Sequence, residues 1–197
     1  ESVEIRYMTA KDEDILTSKN LLEKGVAVDR LIDNLLLEKR IKSQNLLSGD
    51  KNAVLIAARK SGYGERYETN VTCPNCRDTD RHVYLLTDVQ TTYGLTAKEL
   101  KAEGIVFTDK GTFVVDLVQN PVTVEFKLLT GREETALLKA SEVRRKKKVA
   151  DSLITDQLKF MIVAVNDYTE TDLIDRFVNS MTMADSRHLR DVYQKVN

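Results

Sequence analysis

The residues with the most directed chemistry in this chain are Cys73 and Cys76, held in the run Cys73-Pro74-Asn75-Cys76. Two thiolates at this spacing on a tight turn converge on one edge of a tetrahedral metal site, as in half of a zinc ribbon. Such a site needs two further ligands, and the sequence holds no second cysteine pair. His82 is the nearest imidazole, while Asp78, Asp80 and the distant His188 are the other donors that one chain can bring. Cys73, Cys76 and His82 are therefore the candidate metal ligands, with zinc the ion that suits them. Because a fourth strong ligand is not evident, the expectation is a reduced, metal-free turn and no cofactor. A site completed by a carboxylate, by His188 or by a symmetry mate is the alternative. A thioredoxin-like redox site is disfavoured: that motif opens a helix whose N-terminus lowers a thiol pKa, whereas Arg77-Asp78-Thr79-Asp80-Arg81 leads into a strand-like run.

Arg144, Arg145, Lys146, Lys147 and Lys148 are five consecutive cations, the densest charge in the chain. At about 3.6 residues per turn they wrap most of a helix circumference and do not line one ligand-facing stripe. The plain reading is a solvated helix end beside a negative C-terminal dipole. The functional reading is contact with an acidic partner surface, which makes these five the candidate partner-binding residues. No global field reinforces them, because 30 Lys and Arg stand against 31 Asp and Glu. No specific nucleic acid is expected as a partner. Catalytic patterns are missing as well: there are two histidines, no G-x-S-x-G and no P-loop, and Ser61-Gly62-Tyr63-Gly64 lacks the Lys-Ser/Thr ending that cradles phosphate. The chain is not expected to be an enzyme.

The elements that hold these residues follow from periodicity. Val3, Ile5 and Tyr7 alternate with charged neighbours, which predicts a short edge strand. Thr9 offers a helix cap with Asp12, Glu13 and Asp14 in the first turns. Val28, Leu31, Ile32 and Leu35 mark an amphipathic helix whose apolar face Leu36 and Leu37 widen, and a third helix runs from Ser48 to a stop at Gly62. Alternation over Tyr67, Thr69, Val71 and Cys73, and again from His82 to Leu86, predicts two strands flanking the cysteine turn. Phe113 to Leu117 and Val122 to Leu128 give two more, so a small antiparallel sheet of about four strands is expected. Between them, residues 88–111 are polar and glycine-punctuated and read as a mobile excursion. Thr130 with Glu133 matches a capping box. Ile154, Leu158, Met161, Ile162 and Val165 form the strongest helical stripe, and Thr169 with Asp172 and Thr182 with Asp185 start further helices.

The fold class is therefore α+β, with helical N- and C-terminal parts around a small antiparallel sheet. Three parts are expected in one compact unit: residues 1–64, a strand and helices; residues 65–129, the β part with the cysteine turn and the excursion; and residues 130–197, the C-terminal helices. With 197 residues, 42% hydrophobic and 31% charged, the chain can bury a core and lacks the composition of a disordered protein. No apolar stretch approaches the roughly 18 residues of a membrane span, no basic leader opens the chain, and no membrane partner is expected. The sparse cysteines suit a reducing compartment.

Taken in order, the run Ile5-Arg6-Tyr7-Met8-Thr9-Ala10-Lys11-Asp12-Glu13-Asp14, then Leu46 to Ala53, Gly62-Tyr63-Gly64, Cys73-Pro74-Asn75-Cys76, and the ending Phe177 to Met181 with Asp185 to Arg190 form a pattern over residues 3–196. That pattern resembles the T-even-type baseplate hub family of contractile-tailed bacteriophages. The resemblance implies a structural subunit at or near the central hub that holds neighbouring baseplate and tail-tube components together. Its partners are then other hub, wedge or tail-tube proteins, or a second copy of itself. Its place is the virion tail baseplate, reached from the host cytoplasm during assembly. Relatives often carry Gly after the second cysteine, where this chain has Arg77. The competing reading is a zinc-dependent nucleic-acid-binding or regulatory adaptor built on the cysteine turn. Leu35, Leu36, Leu37, Phe177, Met181 and Met183 are the apolar residues expected to be left over for partner subunits.

Overall fold

The structure, a computed structural model, describes residues 2–89, 94–150 and 152–197. The chain falls into two compact units, Glu1–Thr92 and Tyr93–Asn197, so the boundary runs through the segment that sequence alone grouped as one β part.

The first unit is built on helices and a hairpin. Helices α1 (Ala10–Thr17), α2 (Lys19–Glu23), α3 (Ala27–Leu35) and α4 (Ser48–Tyr63) precede strands β1 (Arg66–Thr72) and β2 (Thr79–Leu85). Thr9 caps α1 through a capping box with Asp12. One edge of α3 packs Leu31 and Leu35 with Ala58, Met8, Ile15 and Leu16, and the other packs Ile32 and Leu36 with Val54, Ile41 and Leu46. Ile5 and Leu55 join both clusters. The expected strand at Val3–Tyr7 is not formed. Only Ile5 bridges, to Leu36, because Arg6 turns its guanidinium onto Asp12 and the chain then enters α1 instead of extending. Leu35 and Leu36 are fully buried, so they are core and not partner surface; Leu37 alone of the three is exposed. Helix α4 runs one residue past Gly62 and ends at Gly64, whose φ of 79° lets the chain turn into β1.

The second unit closes a core between a four-stranded sheet and five helices. Helix α5 (Ala97–Ala102) leads into β3 (Val106–Phe107), β4 (Phe113–Asp116), β5 (Thr123–Phe126), α6 (Gly131–Lys146), α7 (Leu153–Met161), β6 (Ile162–Val165), α8 (Thr171–Ser180) and α9 (Met183–Val196). The sheet order is β3-β4-β5-β6, antiparallel throughout, whereas β1 pairs only with β2. The single sheet expected from the alternation is thus two sheets, one in each unit. The stripe read as one helix through Val165 stops at Met161. Ile162-Val163-Ala164-Val165 is rich in β-branched residues, turns extended at Ile162 and pairs with Val124–Phe126. Asn166 and Asp167, both at positive φ, then end the strand, and the Asn166 side chain accepts the Thr123 N–H at 2.9 Å.

The excursion expected at 88–111 is corrected over most of its length. Leu100 and Ile105 are buried in the core, β3 pairs with β4, and a capping box of Thr96 and Glu99 starts α5. Residues 90–93 of that segment lie outside the described residues. Phe177 and Met181 are half-buried against the same core, which also leaves them out of a partner surface, while Met183 stays exposed at 77%. The cap of α8 is Glu170 and not Thr169.

At the centre of this core Tyr193 accepts the N–H of Leu129 at 3.1 Å, with both residues buried. Tyr193→Phe keeps the ring and strands that N–H, so unit 2 is expected to lose about 1–2 kcal/mol, or roughly 5 °C in melting temperature. Thermal unfolding of the two proteins side by side checks this; equal melting curves would show that the hydroxyl contributes nothing.

Candidate functional site

The cysteine turn closes the β1–β2 hairpin. Cys73 donates its N–H to the Asp78 carbonyl at 2.8 Å, and Arg77 donates to the Cys73 carbonyl at 2.9 Å. The N–H groups of Cys76 and Asn75 and the Cys76 thiol are all directed at the Cys73 sulfur, and together they hold its pKa below the ordinary thiol value. The two thiols are free, with Cys73 half-buried and Cys76 exposed. Arg77 sits at φ 60°, a left-handed conformation that costs a side-chain-bearing residue about 1 kcal/mol. That left-handed residue closes the loop, so that the Cys73 N–H reaches the Asp78 carbonyl.

His82 is not brought to this turn. It pairs with Thr69, three pairs along the ladder from Thr72↔Thr79, or about 10 Å at the usual strand rise. Its ring stacks at 6.3 Å on Tyr84 instead. Asp78 and Asp80 use a carboxylate oxygen each on the following amide, those of Thr79 and Arg81. His188 belongs to α9 in the second unit, beside an open hollow of about 400 Å3 lined also by Asp191 and Lys195. Among the described residues no group of three or more His, Cys, Asp or Glu side chains converges on a metal position.

The hairpin that carries the turn is exposed on both faces. Tyr67, Val71 and Tyr84 lie on one face and Val83 and Leu85 on the other, all open to solvent. Its base is tied to α4 by Arg59, which stands 4.8 Å from the Tyr63 ring centre and 5.9 Å from that of Tyr67. Glu68 takes ion pairs from Arg66 on its own strand and from Arg81 on the other, all on one face. A two-stranded hairpin alone in water is marginal, and this one carries apolar residues on both faces.

Of the five cations, Arg144 turns inward. Its guanidinium binds the Asp156 carboxylate and the Ser152 hydroxyl, and this pairing first of all holds Asp156 below the ordinary carboxylate range. Arg145, Lys146, Lys147 and Lys148 are exposed at the end of α6, where they complement the helix dipole. Sequence reasoning missed this division, since nothing in a run of five cations tells which one meets a carboxylate twelve residues on. It also missed two buried carboxylates, Asp12 and Asp185. Both were read only as helix-start acids, and both prove to be structural anchors.

One family model spans nearly all of both units. The T4 bacteriophage base plate protein model matches residues 1–192. The chain belongs to that family. No curated protein and no solved structure matches it. Membership makes the chain a structural protein of the phage baseplate and places it in the virion tail. No helix among the described residues is long and apolar enough to cross a membrane.

Proposed function

We propose that this base plate family member sits at or near the central hub, joins during assembly in the host cytoplasm, and holds neighbouring hub, wedge or tail-tube proteins together. The observation that supports this most is the β1–β2 hairpin, which leaves Tyr67, Val71, Val83, Tyr84 and Leu85 exposed. Burying such residues against a neighbour contributes about 25 cal/mol per Å2 of apolar surface, the usual driving force of a permanent assembly. The order of motifs that resembles the hub family supports the same location. Arg145, Lys146, Lys147 and Lys148 supply a second contact, toward an acidic neighbour.

A mass-spectrometric inventory of purified particles is expected to find the chain at a few copies, with cross-links from residues 66–85 to hub or tube proteins. Its absence from particles, or cross-links confined to peripheral wedge proteins, would overturn the hub placement. Changing Arg145, Lys146, Lys147 and Lys148 together to Ser is expected to weaken capture of the tail partner by about 1–3 kcal/mol at low salt and by less at high salt. Equal capture at both salt concentrations would remove these cations from the interface.

A further inference from the structure

We propose that β1 is a docking edge for the same strand of a second copy of this chain, the two joining antiparallel about a two-fold axis at Thr69 into one four-stranded sheet. The ladder of the hairpin tells which backbone groups face outward. Leu86 donates its N–H to the Glu65 carbonyl and Cys73 donates to that of Asp78, both at 2.8 Å. The hydrogen-bonded pairs between these two fall at alternate positions, Tyr67↔Tyr84, Thr69↔His82 and Val71↔Asp80. Arg66, Glu68, Asn70 and Thr72 on β1, and Thr79, Arg81, Val83 and Leu85 on β2, therefore turn their N–H and C=O groups away from the partner strand. The hairpin is a two-stranded sheet, so each of these rows is an edge. The two edges differ. On β2 the Asp78 and Asp80 carboxylates accept the N–H groups of Thr79 and Arg81, at 2.9 and 2.8 Å, and blunt that edge with charge. On β1 the outward groups of Glu68, Asn70 and Thr72 bond to nothing else among the described residues, and all three residues are exposed.

A row of free amides and carbonyls is completed by another extended strand, and the sequence of β1 fits itself. With Thr69 facing its counterpart, each Glu68 exchanges hydrogen bonds with an Asn70 of the other copy, and each Arg66 with a Thr72. On the opposite face each Tyr67 meets a Val71, an aromatic and β-branched pair whose members are 42% and 38% exposed in the single chain. Neighbouring registers fail. A shift of one residue sets outward groups against inward-bonded ones. A shift of two in one direction brings Glu68 against Glu68, and in the other brings Arg66 against Pro74, which has no N–H to give. The contact is isologous and closes at two copies, because the β2 edges left outside are the ones their aspartates blunt. It does not depend on the hub placement, and the purified chain alone tests it.

The test takes the full chain, with its thiols reduced, through a concentration series in analytical ultracentrifugation and in residue-resolved amide exchange. The expected result is a monomer–dimer equilibrium reached below about 1 mM, in keeping with the small area that a strand edge buries. Over the same series the amides of Glu68, Asn70 and Thr72 are expected to slow their exchange, while those of Val83 and Leu85 on the other edge keep their rates. Asn70→Pro deletes one outward N–H and none of the bonds within the hairpin, so it is expected to weaken the dimer by about tenfold or more with the circular dichroism spectrum unchanged. Val83→Pro makes the equivalent change on the other edge and is expected to leave the dimer as strong as before. Because exchange is read on the unaltered protein, the proposal stays decidable if a proline variant misfolds. A chain that stays monomeric throughout, a dimer whose Glu68, Asn70 and Thr72 amides exchange no more slowly, or a dimer that Asn70→Pro leaves intact would overturn it.

Discussion

Asp185→Ala is expected to lower the stability of unit 2 by about 3–5 kcal/mol, because it takes one buried charge away from three donors at once. The carboxylate is fully buried in the first turn of α9. It accepts the Gln119 N–H at 2.8 Å, the Asn120 amide at 2.5 Å and the Thr182 hydroxyl at 2.9 Å. Gln119 and Asn120 lie between β4 and β5, so one side chain fastens the sheet to the C-terminal helix across more than sixty residues of sequence. Alanine leaves all three donors without a partner in a site that water does not reach. Asp185→Asn keeps the shape and part of the acceptor capacity, and its expected cost is about half as large. Urea unfolding followed in unit 2 distinguishes the two. A loss below about 1 kcal/mol for alanine would mean that the donors find other partners.

The same carboxylate predicts a pH limb. Burial alone acts to raise its pKa, but the Gln119 N–H, the Thr182 hydroxyl and the Asn120 amide together outweigh burial and leave it below the ordinary value. In the unfolded chain an aspartate titrates near pH 4. A folded pKa lower than that means the stabilisation is fully present above about pH 4 and is lost as pH falls through the folded value.

Legibility from sequence tracked how local the cause of each element was. The caps at Thr9, Thr130 and Thr182 were readable because a capping threonine and an acid three residues on close a ring within one turn. The amphipathic stripe of α3 and the two strands around Cys73 and Cys76 were readable for the same reason. Strand β6 was not: Ile162 and Val165 fit a helical stripe as well as a buried strand, and what decided between them was pairing with Val124 and Phe126, some forty residues earlier. Val106 and Phe107 became a strand only because β4 lay ready to pair, and the single expected sheet divided in two because β2 and β4 belong to different units. At the candidate site, the spacing of Cys73 and Cys76 was legible and the position of His82 was not. An imidazole six residues past Cys76 is near in sequence, yet a strand carries it along the hairpin and away from the turn.

Unit 1 has its own buried acid, and Asp12→Ala is expected to cost it about 3 kcal/mol. Asp12 is fully buried and takes a fork of two bonds from Arg6, at 2.7 and 2.8 Å, together with the Thr9 N–H at 2.8 Å and the Asn34 amide at 2.6 Å. The Arg6 contact is the leading cause that pushes the Asp12 pKa well below the ordinary carboxylate range, against the opposing pull of burial. With the folded value depressed, this pair too contributes above about pH 4 and fails as pH falls through the folded pKa. Wild-type unit 1 is therefore expected to lose stability in acid, and the alanine variant to show a flatter acid limb because its contribution is already gone. The consequence reaches beyond the pair, since the Arg6 bond holds Ile5 where it packs against both apolar clusters of this unit. Replacing both partners by leucine separates the two effects: if the cost of Asp12→Ala is chiefly that of donors left unpaired, the double variant recovers much of the loss. If the double variant is no more stable than Asp12→Ala, the charged fork itself is what holds the N-terminal segment in place.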